Sequence, residues 1–189
     1  MTDIGDRKAA ARKQGFEQRA LAHAQGGDAA ANLLLLEHVL SFEPVVVSAY
    51  MPMRTEIDPL VAMAELHARG VRICVPIIEG KDLPLSFREW TPTVELEVGP
   101  FGAAVPVTGE TLEPEVVVTP LVAFDRRGYR LGYGGGFYDR TFERLHAAGG
   151  GVGIGFAYSG QEIDEVPTEA TDIRLHSIVT ESAVLLVDV

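Results

Sequence analysis

The chain has 189 residues and a single cysteine, Cys74. One thiol excludes an internal disulfide and any metal cage built from cysteines. Cys74 sits in the apolar run VRICVPII, which reads as a buried, inert thiol rather than a nucleophile. No Ser–His–Asp or Cys–His set stands out. The five histidines (His23, His38, His67, His146 and His176) are scattered, and surface or capping roles are expected for each. No apolar run approaches the length that spans a bilayer, so no membrane partner is expected. The first residues, MTDIGDRKAAARK, lack the apolar centre of a signal peptide, and a cytoplasmic monomer is the expectation. Positive charge is also scarce: 16 Lys and Arg against 27 Asp and Glu give a net charge of −11. That excludes general nucleic-acid binding, which needs a basic footprint.

The few cations are unevenly placed. Five lie between Arg7 and Arg19 and five between Arg126 and Arg144. In an acidic protein such clustering points to local sites for a small polyanion, the plainer alternative being solvated helix faces. The second cluster surrounds the stretch on which the chain centres, Pro120–Arg140, PLVAFDRRGYRLGYGGGFYDR. It holds Gly128, Gly132, Gly134, Gly135 and Gly136. Ordering so much glycine is entropically costly, and a bound anion is a common compensation. Glycine lets backbone N–H groups approach phosphate oxygens, and arginine adds a bidentate charge. The text after Gly136 turns helical, and a helix N-terminus favours anions. The stretch contains no lysine, so it is no Walker P-loop, and a G-x-G-x-x-G reading from Gly132 fails at Phe137. A mobile glycine-rich surface loop is the bland alternative.

Composition and length suit one α/β domain over residues 1–189. A helix is expected over Asp3–Ala24, ended by Gly26-Gly27, with Lys8 and Arg12 four apart on one face. A second runs over Asp28–Leu40 with Asp28 as N-cap and Leu33–Leu36 in the core. Val45–Tyr50 reads as a strand covered on both faces. Asp58 and Pro59 open a helix that Gly70 closes, and Arg72–Val75 follows as a strand, making a βαβ unit. Leu85–Glu97 suggests more exposed strands, and Val116–Thr119 another buried one that delivers the glycine stretch. Val152–Tyr158 is a further strand, with Gly153 and Gly155 marking close packing. Gln161–Ile173 is loop-rich, and Ile178–Thr180 and Ala183–Val187 finish the sheet. Loops at the carboxyl ends of such strands, Met51–Ile57 and the glycine stretch, are where ligands bind in open α/β sheets.

Pro120–Arg140 closely resembles the signature of the 5-formyltetrahydrofolate cyclo-ligase family, the methenyltetrahydrofolate synthetases: P-x-V-A-F-D-x-x-G-x-R-L-G-x-G-x-G-Y-Y-D-R. Phe137 departs from it, keeping the ring of the usual tyrosine and losing the hydroxyl. The likeness extends along the chain. Lys8 and Arg12 resemble the family's phosphate-reaching pair. Tyr50–Ile57 resembles the stretch before its E-[IV] step. Gln161, Pro167, Asp172, Thr180 and Glu181 match a Q…P…D…TE pattern. Phe101–Pro106 resembles an aromatic-G-I-x-[EQ]-P element, with Ala103 and Val105 in place of the isoleucine and the polar residue.

The resemblance implies an open, mostly parallel sheet with helices on both faces, similar to the ribose-phosphate isomerase and glucosamine-phosphate deaminase group. It implies ATP- and Mg²⁺-dependent cyclisation of 5-formyltetrahydrofolate to 5,10-methenyltetrahydrofolate, with ADP and phosphate released. ATP would be held by Lys8, Arg12, Arg130, Gly132, Tyr133, Gly134, Gly135, Gly136, Phe137 and Tyr138. The folate would meet Met51, Glu56, Tyr133, Gly134, Gly135, Gly136 and Phe137, with the aromatic rings flanking the pterin. Asp139 and Asp172 would hold the magnesium. For these side chains the plainer readings are a first-turn helix aspartate, a turn aspartate and aromatic core packing. Two other functions remain open on the same fold: a sugar-phosphate isomerase, and a nucleotide- or folate-binding protein without catalysis.

Overall fold

Short β-branched runs bury best when both their faces are covered, and the chain uses them so. The computed structural model describes residues 3–188. In chain order it has α1 (Ile4–Gln25), α2 (Asp28–Leu40), β1 (Val46–Ser48), α3 (Leu60–Ala68), β2 (Arg72–Ile77), β3 (Ser86–Trp90), β4 (Leu96–Val98), β5 (Ala104–Pro106), β6 (Val116–Pro120), β7 (Ala123–Phe124), β8 (Arg130–Leu131), α4 (Phe137–Ala147), β9 (Val152–Phe156), β10 (Ser177–Val179) and β11 (Val184–Leu186). Seven strands form the main sheet in the order β11-β10-β9-β6-β1-β2-β3. Its interior pairs are parallel, and only the outermost strands, β11 and β3, pair antiparallel. β4–β5 and β7–β8 are separate two-stranded ribbons.

Alternation along β6 shows the two covered faces. Val116 and Val118 join the cluster that holds Leu35, Val39, Met63 and Leu66 of α2 and α3. Val117, pointing the other way, joins Phe142 and Leu145 of α4. Gly153 and Gly155 are where the α4 side presses closest: an added Cβ would meet Phe142 at 2.8 Å and Leu121 at 2.9 Å. Close packing, and not a second anion site, accounts for both.

Two local expectations need correction. Asp28 is the first residue of α2, and Gly27 takes the N-cap place at φ 119°. The Asp28 carboxylate instead accepts a hydrogen bond from the Tyr158 hydroxyl at 2.7 Å. The run Leu33–Leu36 does not lie wholly in the core: Leu35 and Leu36 are buried, but Leu33 is 57% exposed. Four consecutive helical residues spread over roughly 300° and cannot share one face.

The sheet order sets where a ligand can sit. From β1 the chain steps to β2 on one side, while β6 pairs with the other edge of β1. The order reverses there, so the loops leaving β1 and β6 diverge and open a crevice at their carboxyl ends. The first loop carries Glu56, the second leads to the glycine stretch, and α1 lies across both.

Candidate active site

The glycine stretch is presented by the β7–β8 ribbon, whose turn is tied by one carboxylate. Asp125 is fully buried and accepts from the N–H groups of Arg127, Tyr129 and Val166. Its second oxygen is gripped by the Arg127 guanidinium at 2.7 Å. Beyond β8, Gly134 and Gly136 have φ of 97° and 65°, conformations that disfavour any side chain. Gly136 caps α4 with no side chain in the capping role, so the first-turn N–H groups of Phe137, Tyr138 and Asp139 lack intrahelical partners. Such a terminus attracts an anion. Arg140 folds back and donates to the Gly135 carbonyl at 2.8 Å.

Helix α1 faces this loop with a polar stripe. Lys8, Gly15 and Arg19 are its buried positions, and with Arg12 they follow the spacing four, three, four that marks one side of a helix. Arg12 donates from Nε to the Gly132 carbonyl at 3.0 Å, and its guanidinium lies 3.4 Å from where a Cβ on Gly134 would sit. Lys8 donates to Asp172 at 2.7 Å and to Glu169 at 2.8 Å. Burial works against its charge, but those two hydrogen bonds outweigh it and raise its pKa above the ordinary lysine value. Gly15 touches the turn after β6: a Cβ there would lie 2.7 Å from the Val122 carbonyl oxygen.

The loop after β1 supplies a second polar centre. Glu56 is 3% exposed. It accepts from the Met53 N–H at 2.8 Å and the Tyr133 hydroxyl at 3.0 Å. Its Oε1 is 3.6 Å from Nη1 of Arg19. Burial raises the Glu56 pKa, opposed by the Met53 amide, Arg19 and Tyr133. Arg19 reaches Tyr133 Oη at 3.1 Å and Thr55 Oγ1 at 3.2 Å, and lies over the rings of Phe16 and Tyr133. Sequence reasoning passed Arg19 over; continuing the stripe from Lys8 and Arg12 by seven residues would have found it.

Of the other expected residues, Arg130 is nearly buried and committed to protein: it donates to the Ile173 carbonyl at 2.6 Å and to Asp139 at 2.9 Å. Asp139 also accepts from the Ile173 N–H at 3.1 Å, which brings it to the neighbour of Asp172. Tyr133 is 45% exposed, whereas Phe137 and Tyr138 pack against buried apolar clusters. Phe137 also meets Phe101 edge-to-face, with centroids 6.3 Å apart. Met51 packs on the main core beside β1. Val105 is buried, turned onto Gly99 of the β4–β5 ribbon. The remaining arginines of the second cluster serve structure: Arg126 pairs with Glu162 and Arg144 with Glu113. Four of the histidines likewise make hydrogen bonds within the fold, to Tyr158, Ser177, Gly151 and Gly153.

Arg12, a glycine loop running into a helix N-terminus, and a buried glutamate thus lie together near the switch point of a mostly parallel sheet, with Lys8 one turn along α1 on Asp172 and Glu169. That arrangement defines an α/β protein with a cationic, glycine-lined crevice at the carboxyl ends of its parallel strands. The sequence matches the 5-formyltetrahydrofolate cyclo-ligase family over residues 5–181, and the chain belongs to that family of enzymes. The 5-formyltetrahydrofolate cyclo-ligase of Mycolicibacterium smegmatis is 33% identical over 143 residues, 71% of this chain and 72% of that protein. The Escherichia coli K12 enzyme of the same name is 31% identical over 156 residues, 77% and 85% of the two chains. The solved structure of 5,10-methenyltetrahydrofolate synthetase from Aquifex aeolicus superposes with a TM-score of 0.79 at 29% identity, covering 96% of this chain and 93% of that one. The Mycoplasma pneumoniae synthetase shares the fold, with a TM-score of 0.71 at 24% identity.

Proposed function

We propose that this protein converts 5-formyltetrahydrofolate to 5,10-methenyltetrahydrofolate at the expense of ATP. The carrying observation is the contact of Arg12 with the glycine loop, one helical turn from Lys8, and the bond from that loop's Tyr133 to Glu56. A formamide carbon is a poor electrophile. In the proposed reaction its oxygen attacks the γ-phosphorus, the bond to the β-phosphate oxygen breaks, and ADP leaves. The folate N10 then attacks the activated formyl carbon through its lone pair. The carbon–oxygen bond breaks, phosphate takes that electron pair, and N10 gives up its proton. Ring closure is intramolecular, so holding the folate in place removes much of its barrier.

The protein's part is charge and alignment, as phosphoryl transfer requires. The N–H groups of the glycine loop and the first turn of α4 would hold phosphate oxygens. Lys8 would contribute a point charge and Arg12 a fork. Arg130 would act through the Asp139 it orients. Glu56 would accept from the donor edge of the pterin, against Tyr133.

Magnesium fits the donors available. Among the described residues, no hydrogen bond reaches Oδ2 of Asp139 or Oδ1 of Asp172, and both side chains are partly exposed, at 27% and 21%. Among the described residues no cluster of three or more potential ligands forms a metal cage. Two hard oxygens suffice when phosphates and water complete the shell. The ion would neutralise charge on the phosphates.

The test is ATP consumption with and without 5-formyltetrahydrofolate, read alongside methenyl-folate absorbance. Both signals should appear only when ATP and the folate are present together. Equal ATP hydrolysis without folate would overturn the proposal.

A further inference from the structure

Arg19 belongs to no part of the reading above, yet it is the largest fully buried side chain described. A buried guanidinium is costly unless it is paired and hydrogen-bonded. Its Nε and Nη2 have partners, but Nη1 makes no hydrogen bond and only faces Glu56 Oε1 at 3.6 Å. Its three neighbours come from two elements. Thr55 and Glu56 lie in the loop after β1, and Tyr133 lies in the glycine loop. Tyr133 in turn donates to Glu56, closing a triangle of Arg19, Tyr133 and Glu56. Replacing this set by apolar side chains would be the cheaper way to build a core. Its retention against that cost, at the switch point, points to a role outside stability.

We infer that Arg19 is a positioning residue for folate binding: its single guanidinium fixes the Glu56 carboxylate and the Tyr133 ring relative to each other, and so sets the end of the site opposite the phosphates. The inference rests on the proposed role of Glu56 in binding folate. A planar fork with several donors can hold a carboxylate, a phenol and a hydroxyl at once, which an ammonium cannot. The charged groups facing Glu56 are Arg19 from α1 and Arg54 from its own loop, with the neutral Tyr133 hydroxyl donating from the glycine loop; Tyr50 and Tyr138 lie near enough to feel its charge. Arg19 is the buried cation among them. Without it, the burial that already raises the Glu56 pKa acts less opposed, and the carboxylate is lost at a higher pH.

The experiment compares Arg19→Met, Arg19→Lys, Glu56→Gln and the double variant Arg19→Met/Glu56→Gln with the unaltered protein. KM is measured separately for 5-formyltetrahydrofolate and MgATP, and kcat/KM for the folate is followed from pH 5 to 9. Arg19→Met should raise the folate KM by about tenfold or more and leave the ATP KM within about twofold. Its acid limb should move to higher pH. Arg19→Lys should fall between. The double variant should be little worse than Glu56→Gln alone, because both lesions remove one unit.

If Arg19→Met does not fold, Arg19→Lys decides by the same KM split. Unchanged folate KM and an unmoved acid limb in a folded Arg19 variant, beside an impaired Glu56→Gln, overturn the role of Arg19 alone. A Glu56→Gln variant with normal folate KM overturns the folate role of Glu56, and this inference with it.

Discussion

Lys8 and Asp172 hold each other at 2.7 Å, 164 residues apart in the chain. Under the proposed function one would meet phosphate and the other magnesium, so this ion pair would couple the two halves of that site. Lys8 is nearly buried, but Asp172 and Glu169 keep 21% and 52% side-chain exposure, so removing Lys8 strands no carboxylate away from water and should cost folding little.

Lys8→Ala should therefore fold normally and bind MgATP poorly. The KM for MgATP should rise at least about tenfold, which is ~1.4 kcal/mol of lost binding, with the folate KM little changed. Alkaline melts give a second check. The Lys8 pKa is higher folded than unfolded, so its stabilisation is fully present below the ordinary value of 10.5 and fades as pH rises through the folded value. The variant should lose less stability than the unaltered protein above pH 10.5. Equal turnover at limiting ATP would remove Lys8 from the nucleotide site.

Gly134→Ala tests the loop itself. At φ 97° a side chain costs about 1–2 kcal/mol, and the new methyl would lie against the Arg12 guanidinium at 3.4 Å, on the face the phosphates would approach. The variant should fold with a small loss of Tm and little activity. Thermal melts with MgATP should show a clear gain for the unaltered protein and a much smaller one for the variant. Equal gains would mean that the phosphates lie elsewhere.

Gly15→Ala sets helix propensity against space. Alanine gains about 1 kcal/mol in a helix interior, while overpacking costs about 1–3 kcal/mol. The neighbour is the Val122 carbonyl oxygen at 2.7 Å, backbone that cannot rotate aside, so strain should win. Lower Tm together with a raised MgATP KM is the expected outcome, measured by calorimetry and initial rates. A stabilised variant would show that α1 shifts freely.

Cys74 should be silent to thiol reagents in the native state. It is fully buried, and burial pushes its pKa up to about 12 from an ordinary 9.0. At neutral pH that alone lowers the thiolate fraction by about three orders of magnitude. Labelling should follow unfolding in denaturant and be undetectable without it.

Much of this was legible in the sequence. The β-branched runs at Val46 and Val116 have no polar face, so a sheet covered on both sides follows from them. The glycines from Gly132 to Gly136 mark a loop with backbone conformations that disfavour side chains, and Gly134 and Gly136 adopt them. The pairings were hidden. Asp139 and Asp172 carry the same charge as any turn or first-turn aspartate, and only the folded chain brings Arg130 and Lys8 to them. Arginine clustering misled in part, since Arg126, Arg127 and Arg144 balance nearby glutamates and Asp125. Arg19 escaped because helices are normally read by their apolar stripe, and the inward stripe of α1 is polar.

That stripe also makes α1 a ruler. The eleven helical rises from Lys8 to Arg19 span roughly 16 Å, a distance set by the hydrogen-bonded backbone and not by any loop. Gly15 pins the ruler to the turn after β6, between its two marks. Inserting one residue between Gly15 and Arg19 would turn Arg19 about 100° from Glu56 and leave Lys8 where it is, separating the two ends of the site with every side chain still present.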